Sequence, residues 1–175
     1  MGMVWFWYFT VYSGAGFLLE LAYARATGGR RDRKRTLLLP LCPVYGLGAC
    51  CILLAVPPFC GCPVLAAIMA AGAATGTEYL TALFYEKALG VTFWDYSGRR
   101  GNLHGRVCPF FSAAWGLLSL PLLYWLQPAL RLWAQSIPPA VTAVCAAAVG
   151  GDLLVSALML RRTGDRECLQ WYRQR

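Results

Sequence analysis

Five apolar runs follow one another along the chain, at about residues 3–26, 37–58, 62–86, 106–127 and 138–160, and the charged residues gather mostly between them. Each run is long enough for a helix that crosses a hydrocarbon core of about 30 Å, which takes roughly 20 residues. Within the runs, apolar and polar positions do not alternate as they do in the strands of a membrane barrel. The pattern predicts an all-α integral membrane bundle of five transmembrane helices. No repeat or shift of composition divides it, so residues 1–175 read as a single transmembrane domain. The first run carries Glu20 and has no basic residue before Arg25, which reads as a retained helix rather than a signal peptide.

Composition agrees with the pattern. The chain is 58% hydrophobic and 14% charged, with a mean hydropathy of +0.50, against about 25% charged residues in soluble globular domains. Its net charge of +8 is distributed by loop. Arg25, Arg30, Arg31, Arg33, Lys34 and Arg35 follow the first run; Lys87, Arg99, Arg100 and Arg106 lie between the third and fourth; Arg161, Arg162, Arg166, Arg173 and Arg175 follow the fifth. Only Arg131 of the 16 basic residues falls on the other side. The positive-inside rule then predicts an outside N-terminus and a cytoplasmic C-terminus in a cell inner (plasma) membrane. Anionic headgroups and membrane lipids are the expected partners of this charge, and nucleic acid is not.

The eight Cys point to packing. Cys42, Cys50, Cys51, Cys108 and Cys145 lie in apolar runs, where a free thiol is a small apolar side chain. Cys60 and Cys62 are too close to bridge each other easily, and no four-ligand zinc spacing occurs. Neither a metal nor a cofactor is expected. Small residues at i, i+4 spacing, Ala67, Ala71, Gly72 and Gly76 in the third run and Ala143, Ala147 and Gly151 in the fifth, predict close helix approach. They allow contact within the bundle or between copies in a homo-oligomer. Pro121 predicts a bend in the fourth helix.

Three acids sit inside apolar runs: Glu20, Glu78 and Asp152. Each lies some 9 to 14 Å from the cytoplasmic basic residues at about 1.5 Å per residue. Ionised groups at this depth are costly and normally face the bundle interior, where they find partners. Helical spacing places Ser13, Gly16, Glu20 and Tyr23 on one stripe, and Thr75, Glu78, Ala82 and Tyr85 on another. Cys108, Ser112, Trp115 and Ser119 share a third, and Cys145, Ala148, Asp152 and Ser156 a fourth. Two readings follow. Either Arg25, Lys87 or Arg106 neutralises the acids in a buried network that fixes packing, or the acids line a pathway for a cation, a proton or a polar substrate.

The segment FWDYSGRRGNLHGRV at 93–107 concentrates polar chemistry between two apolar runs. Phe93, Trp94 and Tyr96 suit the headgroup interface, so the loop is expected to lie under the bundle. That brings Asp95, Ser97, Asn102, His104 and Arg106 to the mouth of the carboxylate cluster. Asp95 and Asn102 read either as helix caps or as ligand-binding groups, and Arg106 either as a snorkelling cation or as a contact to substrate.

Four ordered blocks carry a family resemblance: SGAGFLLELAYA at 13–24, PLCPVYGLGA at 40–49, GTEYLTALFYEKALGVTFWDYS at 76–97 and NLHGRVCPFFSAAWG at 102–116. The chain resembles the CmpB-like ABC-transporter permeases of bacterial membranes. The motif positions carried over by the resemblance are Glu20, Pro43, Tyr45, Gly46, Glu78, Trp94, Asp95, Tyr96, Ser97, Asn102, Gly105, Arg106, Trp115 and Gly116. The resemblance implies a multi-pass transport component. No G-x-x-x-x-G-K-[ST] segment is present, so any ATPase would be a separate subunit and a partner.

The expected function is therefore that of a permease-type transport component, not an enzyme, with Glu20, Glu78, Asp95, Asn102, Arg106 and Asp152 as substrate- or ion-binding residues. Trp94, Tyr96, Ser97 and His104 form the loop motif. The alternatives are a small membrane enzyme acting on a lipid or headgroup phosphate, with Asp95 and His104 as acid and base, and an accessory subunit without catalysis.

Overall fold

A computed structural model describes residues 2–28 and 36–169. Arg30, Arg31, Arg33, Lys34, Arg35, Arg173 and Arg175 lie outside the described residues. Among those described the chain is helical, with no strand and one isolated antiparallel bridge between Leu103 and Val107. The elements are α1 (Gly2–Ala26), α2 (Pro43–Ala55), α3 (Pro63–Phe84), α4 (Pro109–Pro121), α5 (Gln127–Ser136) and α6 (Pro139–Thr163). Single 3₁₀ turns occupy Pro57–Phe59 and Arg166–Leu169.

Proline sets most of the helix starts. Pro43, Pro63, Pro109 and Pro139 each stand first in their helix, where the missing N–H would have had no intrahelical partner. The same rule shortens the second span. The run 37–58 yields only the 13 residues of α2, because the residue before a proline is pushed out of the helical region. Cys42 accordingly sits at φ −119° and ψ 93°, and residues 36–42 form a nonhelical lead-in.

The fourth span is longer than its apolar run. Residues 128–137, read from sequence as a loop, continue the helix to Ser136, so Pro109–Ser136 forms one rod of 28 residues. A π turn at Leu122–Leu126 joins α4 to α5, and the Gln127 N–H reaches back to the Leu122 carbonyl. Pro121 and Pro128 flank this turn, and each removes one N–H from the regular ladder. A second π turn, Tyr85–Leu89, ends α3 at Gly90, whose φ of 71° suits glycine.

The principal helix contacts run in chain order, α1 on α2, α2 on α3 and α3 on α4. Glycines set the closest approaches. A Cβ on Gly16 would enter the ring of Tyr45, and one on Gly116 would lie 2.9 Å from the Ala67 carbonyl oxygen. Ala66, Ala70 and Ala74 are buried against Ile52 and Val56. At the other end of α1, Trp7 donates to Thr142 Oγ1 at 3.0 Å and Tyr12 to Gln127 Oε1 at 2.9 Å, which ties α1 to α6 and α5. Gly72, Gly76, Ala143, Ala147 and Gly151 are exposed, and a Cβ at any of the three glycines would meet open space.

Pro109–Ser136 and Pro139–Thr163 are long and apolar enough to cross a membrane. Only 11% and 17% of their apolar windows are buried within the molecule, unlike the core helix of a soluble domain. Trp125, Leu132 and Val144 are more than 70% exposed. Such an outward apolar surface suits lipid.

Candidate functional site

The close α1–α2 and α3–α4 approaches meet at one end of the bundle, around a cavity of about 170 Å³. Glu20 and Tyr23 enter it from α1, Tyr45 from α2, Glu78 from α3, Phe111 and Trp115 from α4, and Trp94 and Tyr96 from the loop between α3 and α4. Thr36 and Cys42 complete the wall from the nonhelical lead-in to α2. Glycine is necessary here. Without a side chain at Gly16, Tyr45 lies against α1 and its hydroxyl donates to Glu20 Oε1 at 2.6 Å.

Glu78 is buried at 5% exposure and is held from two elements. The Tyr96 hydroxyl donates to Oε1 at 3.0 Å and the Trp115 indole N–H to Oε2 at 2.8 Å. Thr75, one turn earlier on α3, donates to Ser112 Oγ at 2.8 Å, which fixes the register of α3 on α4. Burial, followed by the charge and hydrogen bond of Glu78, pushes the Tyr96 phenol well above its ordinary value, so it remains a proton donor. The rings are packed with one another: Tyr45 and Trp115 centroids are 4.8 Å apart, and Tyr96 stacks on Phe111 at 4.9 Å.

The polar loop is built largely to hold itself. Asp95 accepts the Ser97 N–H at 2.8 Å and the Ser97 hydroxyl at 2.9 Å. These bonds pull its carboxyl below the ordinary Asp value, the backbone one most. Asn102 donates to the carbonyls of Ser97 and Arg99 and accepts from the Gly105 N–H at 2.9 Å. His104, at φ 53°, brings Nδ1 within 3.0 Å of the Tyr79 hydroxyl. Trp94 donates to the Arg106 carbonyl at 2.9 Å.

Arg106 pairs with Glu86 through Nε at 3.0 Å and lies over the Tyr79 ring. The Glu86 hydrogen bond raises its already high value first among the causes. Its guanidinium therefore joins the end of α3 to the approach to α4. Among the described residues, the carboxylate that Arg106 pairs with is Glu86.

Asp152 stands apart from Glu20 and Glu78. From α6 it accepts the N–H groups of Leu38 at 3.1 Å and Leu39 at 2.9 Å, and Ser156 donates to it at 3.0 Å. It satisfies the backbone of the lead-in to α2. The four polar stripes thus do not share one interior: α1, α3 and α4 converge, and α6 serves the segment before α2. Phe111 as a wall of the cavity and Glu86 as the partner of Arg106 escaped the sequence reading. The one sequence signal for Glu86 was a carboxylate at the end of an apolar run, with a basic loop to follow.

A family model described as "Putative ABC-transporter type IV" matches residues 7–159, which includes every residue of the cavity. No curated protein and no solved structure matches.

Proposed function

The chain belongs to this ABC-transporter type IV family, and from that premise we propose that it is the multi-pass membrane subunit of a transporter whose ligand passes through the Glu20–Glu78 cavity. One observation carries the reading. Two carboxylates from different helices converge on a single cavity at the end of the bundle that receives the α1–α2 and α3–α4 connections.

In this reading the chain crosses a cell membrane five times: α1, the lead-in with α2, α3, the α4–α5 rod and α6. The N-terminus lies outside and the cavity opens toward the cytoplasm, where the positive-inside rule puts the basic connections. A separate ATPase supplies the energy. The polar loop positions Tyr96 and Trp94, and Asp95 and His104 hold it through Ser97 and Tyr79.

Affinity purification from native membranes tests the proposal. An ATPase or another transport subunit is expected to accompany the chain in stoichiometric amount. A chain that is consistently recovered alone counts against an ABC transporter.

A further inference from the structure

A second, larger groove of about 530 Å³ lies between α2, α3 and α6, and Thr36 lines both it and the carboxylate cavity. α6 makes its main helix contacts with α1 and with the π turn at Tyr85–Leu89, which leaves the flank of α2 and α3 open beside it. Leu37, Tyr85, Leu89 and Leu160 form a buried floor, and Leu47, Leu80, Phe84 and Leu153 an exposed rim. The hydroxyls of Thr36, Thr77 and Thr81 in the wall donate to main-chain carbonyls. The groove therefore gives an apolar ligand extensive contact, whereas a polar one would lose its hydrogen bonds to water with little in return.

The length of the groove and the charge at one end of it narrow the choice of ligand. From Thr77 on α3 to Tyr85 on the π turn is eight positions, a rise of roughly 12 Å at 1.5 Å per residue. One leaflet of a hydrocarbon core of about 30 Å is about 15 Å deep. A partner helix would seat along a whole span, whereas an acyl chain ends at the midplane. The end of the groove at Tyr85, Leu89 and Leu160 is flanked by cations: Lys87 stands between the first two of these residues, Arg161 and Arg162 follow the third, and all three are exposed. Glu86, beside Lys87, is engaged by Arg106, and Asp165 accepts the Glu167 N–H in the turn beyond α6. An apolar groove that ends in cations complements a lipid with an anionic headgroup.

We propose that this groove binds an acyl chain of an anionic phospholipid of the cytoplasmic leaflet, with the lipid phosphate at Lys87, Arg161 and Arg162. The leaflet rests on the five-span arrangement proposed above; the site itself depends neither on the transported ligand nor on an ATPase.

The full chain, purified in detergent and stripped of lipid, is titrated with phosphatidylglycerol and with phosphatidylcholine of the same acyl chains. Native mass spectrometry reads the bound lipid and thermal unfolding its effect. Phosphatidylglycerol should bind and raise the melting temperature at concentrations roughly tenfold below those that phosphatidylcholine needs. Inorganic phosphate, which has no acyl chain, should leave the melting temperature unchanged. Lys87→Ala, Arg161→Ala and Arg162→Ala should each weaken phosphatidylglycerol about fivefold and leave phosphatidylcholine as it was.

Leu80→Trp adds bulk at the exposed rim, so it should keep the lipid-free melting temperature. It should weaken both lipids roughly tenfold, the equivalent of two displaced methylenes. Leu117→Trp, at an exposed position of α4 outside the groove, should bind as the parent does.

The proposal is overturned if the two phospholipids act alike, if all three charge variants bind as the parent does, or if Leu80→Trp binds like Leu117→Trp. A lipid-free dimer that Leu80→Trp disrupts would also overturn it and give the groove to a second copy. A chain selective for phosphatidylglycerol but always recovered without an ATPase defeats the ABC reading and keeps the lipid site. Reporter fusions after residues 100 and 170 that report the outside overturn the cytoplasmic leaflet.

Discussion

The indole N–H of Trp115 donates to Glu78 Oε2 at 2.8 Å, so a carboxylate in the last third of α3 is fastened to an aromatic wall carried by α4. Trp can only donate and Tyr can donate or accept, and that difference determines what a substitution at Glu78 does. In Glu78→Gln the amide oxygen can turn to Trp115 while its NH₂ donates to the Tyr96 oxygen. The variant should fold with a stability loss of about 1.5 kcal/mol or less, the scale of one net hydrogen bond, while ligand binding or transport falls at least tenfold. Glu78→Leu strands both donors and should cost about 1–3 kcal/mol for each. Thermal unfolding in detergent, run beside a binding or transport measurement, separates the outcomes; a large loss of stability in the Gln variant would show that Glu78 is a structural ion.

The glycines divide into two groups that sequence does not distinguish. Gly16→Ala and Gly116→Ala force a Cβ onto Tyr45 and onto the Ala67 carbonyl, and each should destabilise by about 1–3 kcal/mol, the usual cost of overpacking. Gly72→Ala and Gly76→Ala meet open space and should be neutral or stabilising by up to about 1 kcal/mol. Melting temperatures of the four single variants check this, and an equal effect at Gly16 and Gly76 would contradict it.

Asp152→Asn leaves one carbonyl oxygen where two N–H groups, of Leu38 and Leu39, now find acceptors. Turned to Leu39, that oxygen leaves the Leu38 N–H with only the Ser156 hydroxyl at 3.2 Å, a loss of about 0.5–1.5 kcal/mol. Backbone amide exchange at residues 38 and 39 should rise in this variant and remain unchanged in Glu20→Gln.

Asp95 gives the loop a pH dependence of definite sign. Its folded carboxyl titrates below its unfolded value, so the fold favours the ionised form. That stabilisation is fully present above the ordinary Asp value of about 4 and is lost as pH falls through the lower folded value. Protection of the Ser97 amide should therefore hold from neutral pH to about 4 and disappear below it. Asp95→Asn keeps an amide oxygen that can accept the Ser97 N–H, so protection there should persist without varying with pH, whereas Asp95→Ala should lose it at every pH.

Reporter fusions after residues 34, 100 and 170 should report cytoplasm, and fusions near 60 and at the break at residue 137 should report the outside. One reversed loop breaks the five-span arrangement.

Much of the helical layout is legible in the hydropathy pattern: α1, α3 and α6 begin and end within a few residues of their apolar runs. The differences come from proline. Pro43 is a good first residue and its predecessor is a poor helical one, so the run at 37–58 is helical only from 43. Pro128 reads as punctuation, yet it is tolerated in the first turn after a π turn. Neither the convergence of Glu20 with Glu78 nor the diversion of Asp152 follows from the stripes alone, because a stripe gives a direction on its own helix and leaves open which segment lies opposite. Phe111 carries no polar atom, and nothing in a span already rich in aromatics marks it as a cavity wall.

The 13 residues of α2 rise about 20 Å at 1.5 Å each, against a hydrocarbon core of about 30 Å. In the five-span arrangement proposed above, the nonhelical residues 36–42 make up the difference. A regular helix resists stretching, whereas this lead-in is held by the grip of Asp152 on Leu38 and Leu39, by the Cys42 N–H on the Ser13 carbonyl and by the burial of Leu37 and Leu41. Thickening the bilayer pulls on that grip and thinning relaxes it, at a fraction of a kcal/mol per Å of mismatch. Thr36 and Cys42, at the two ends of the lead-in, both line the cavity. With α2 spanning the bilayer as proposed, lipid chain length becomes a mechanical input to the proposed ligand site, transmitted through a span whose helix is incomplete.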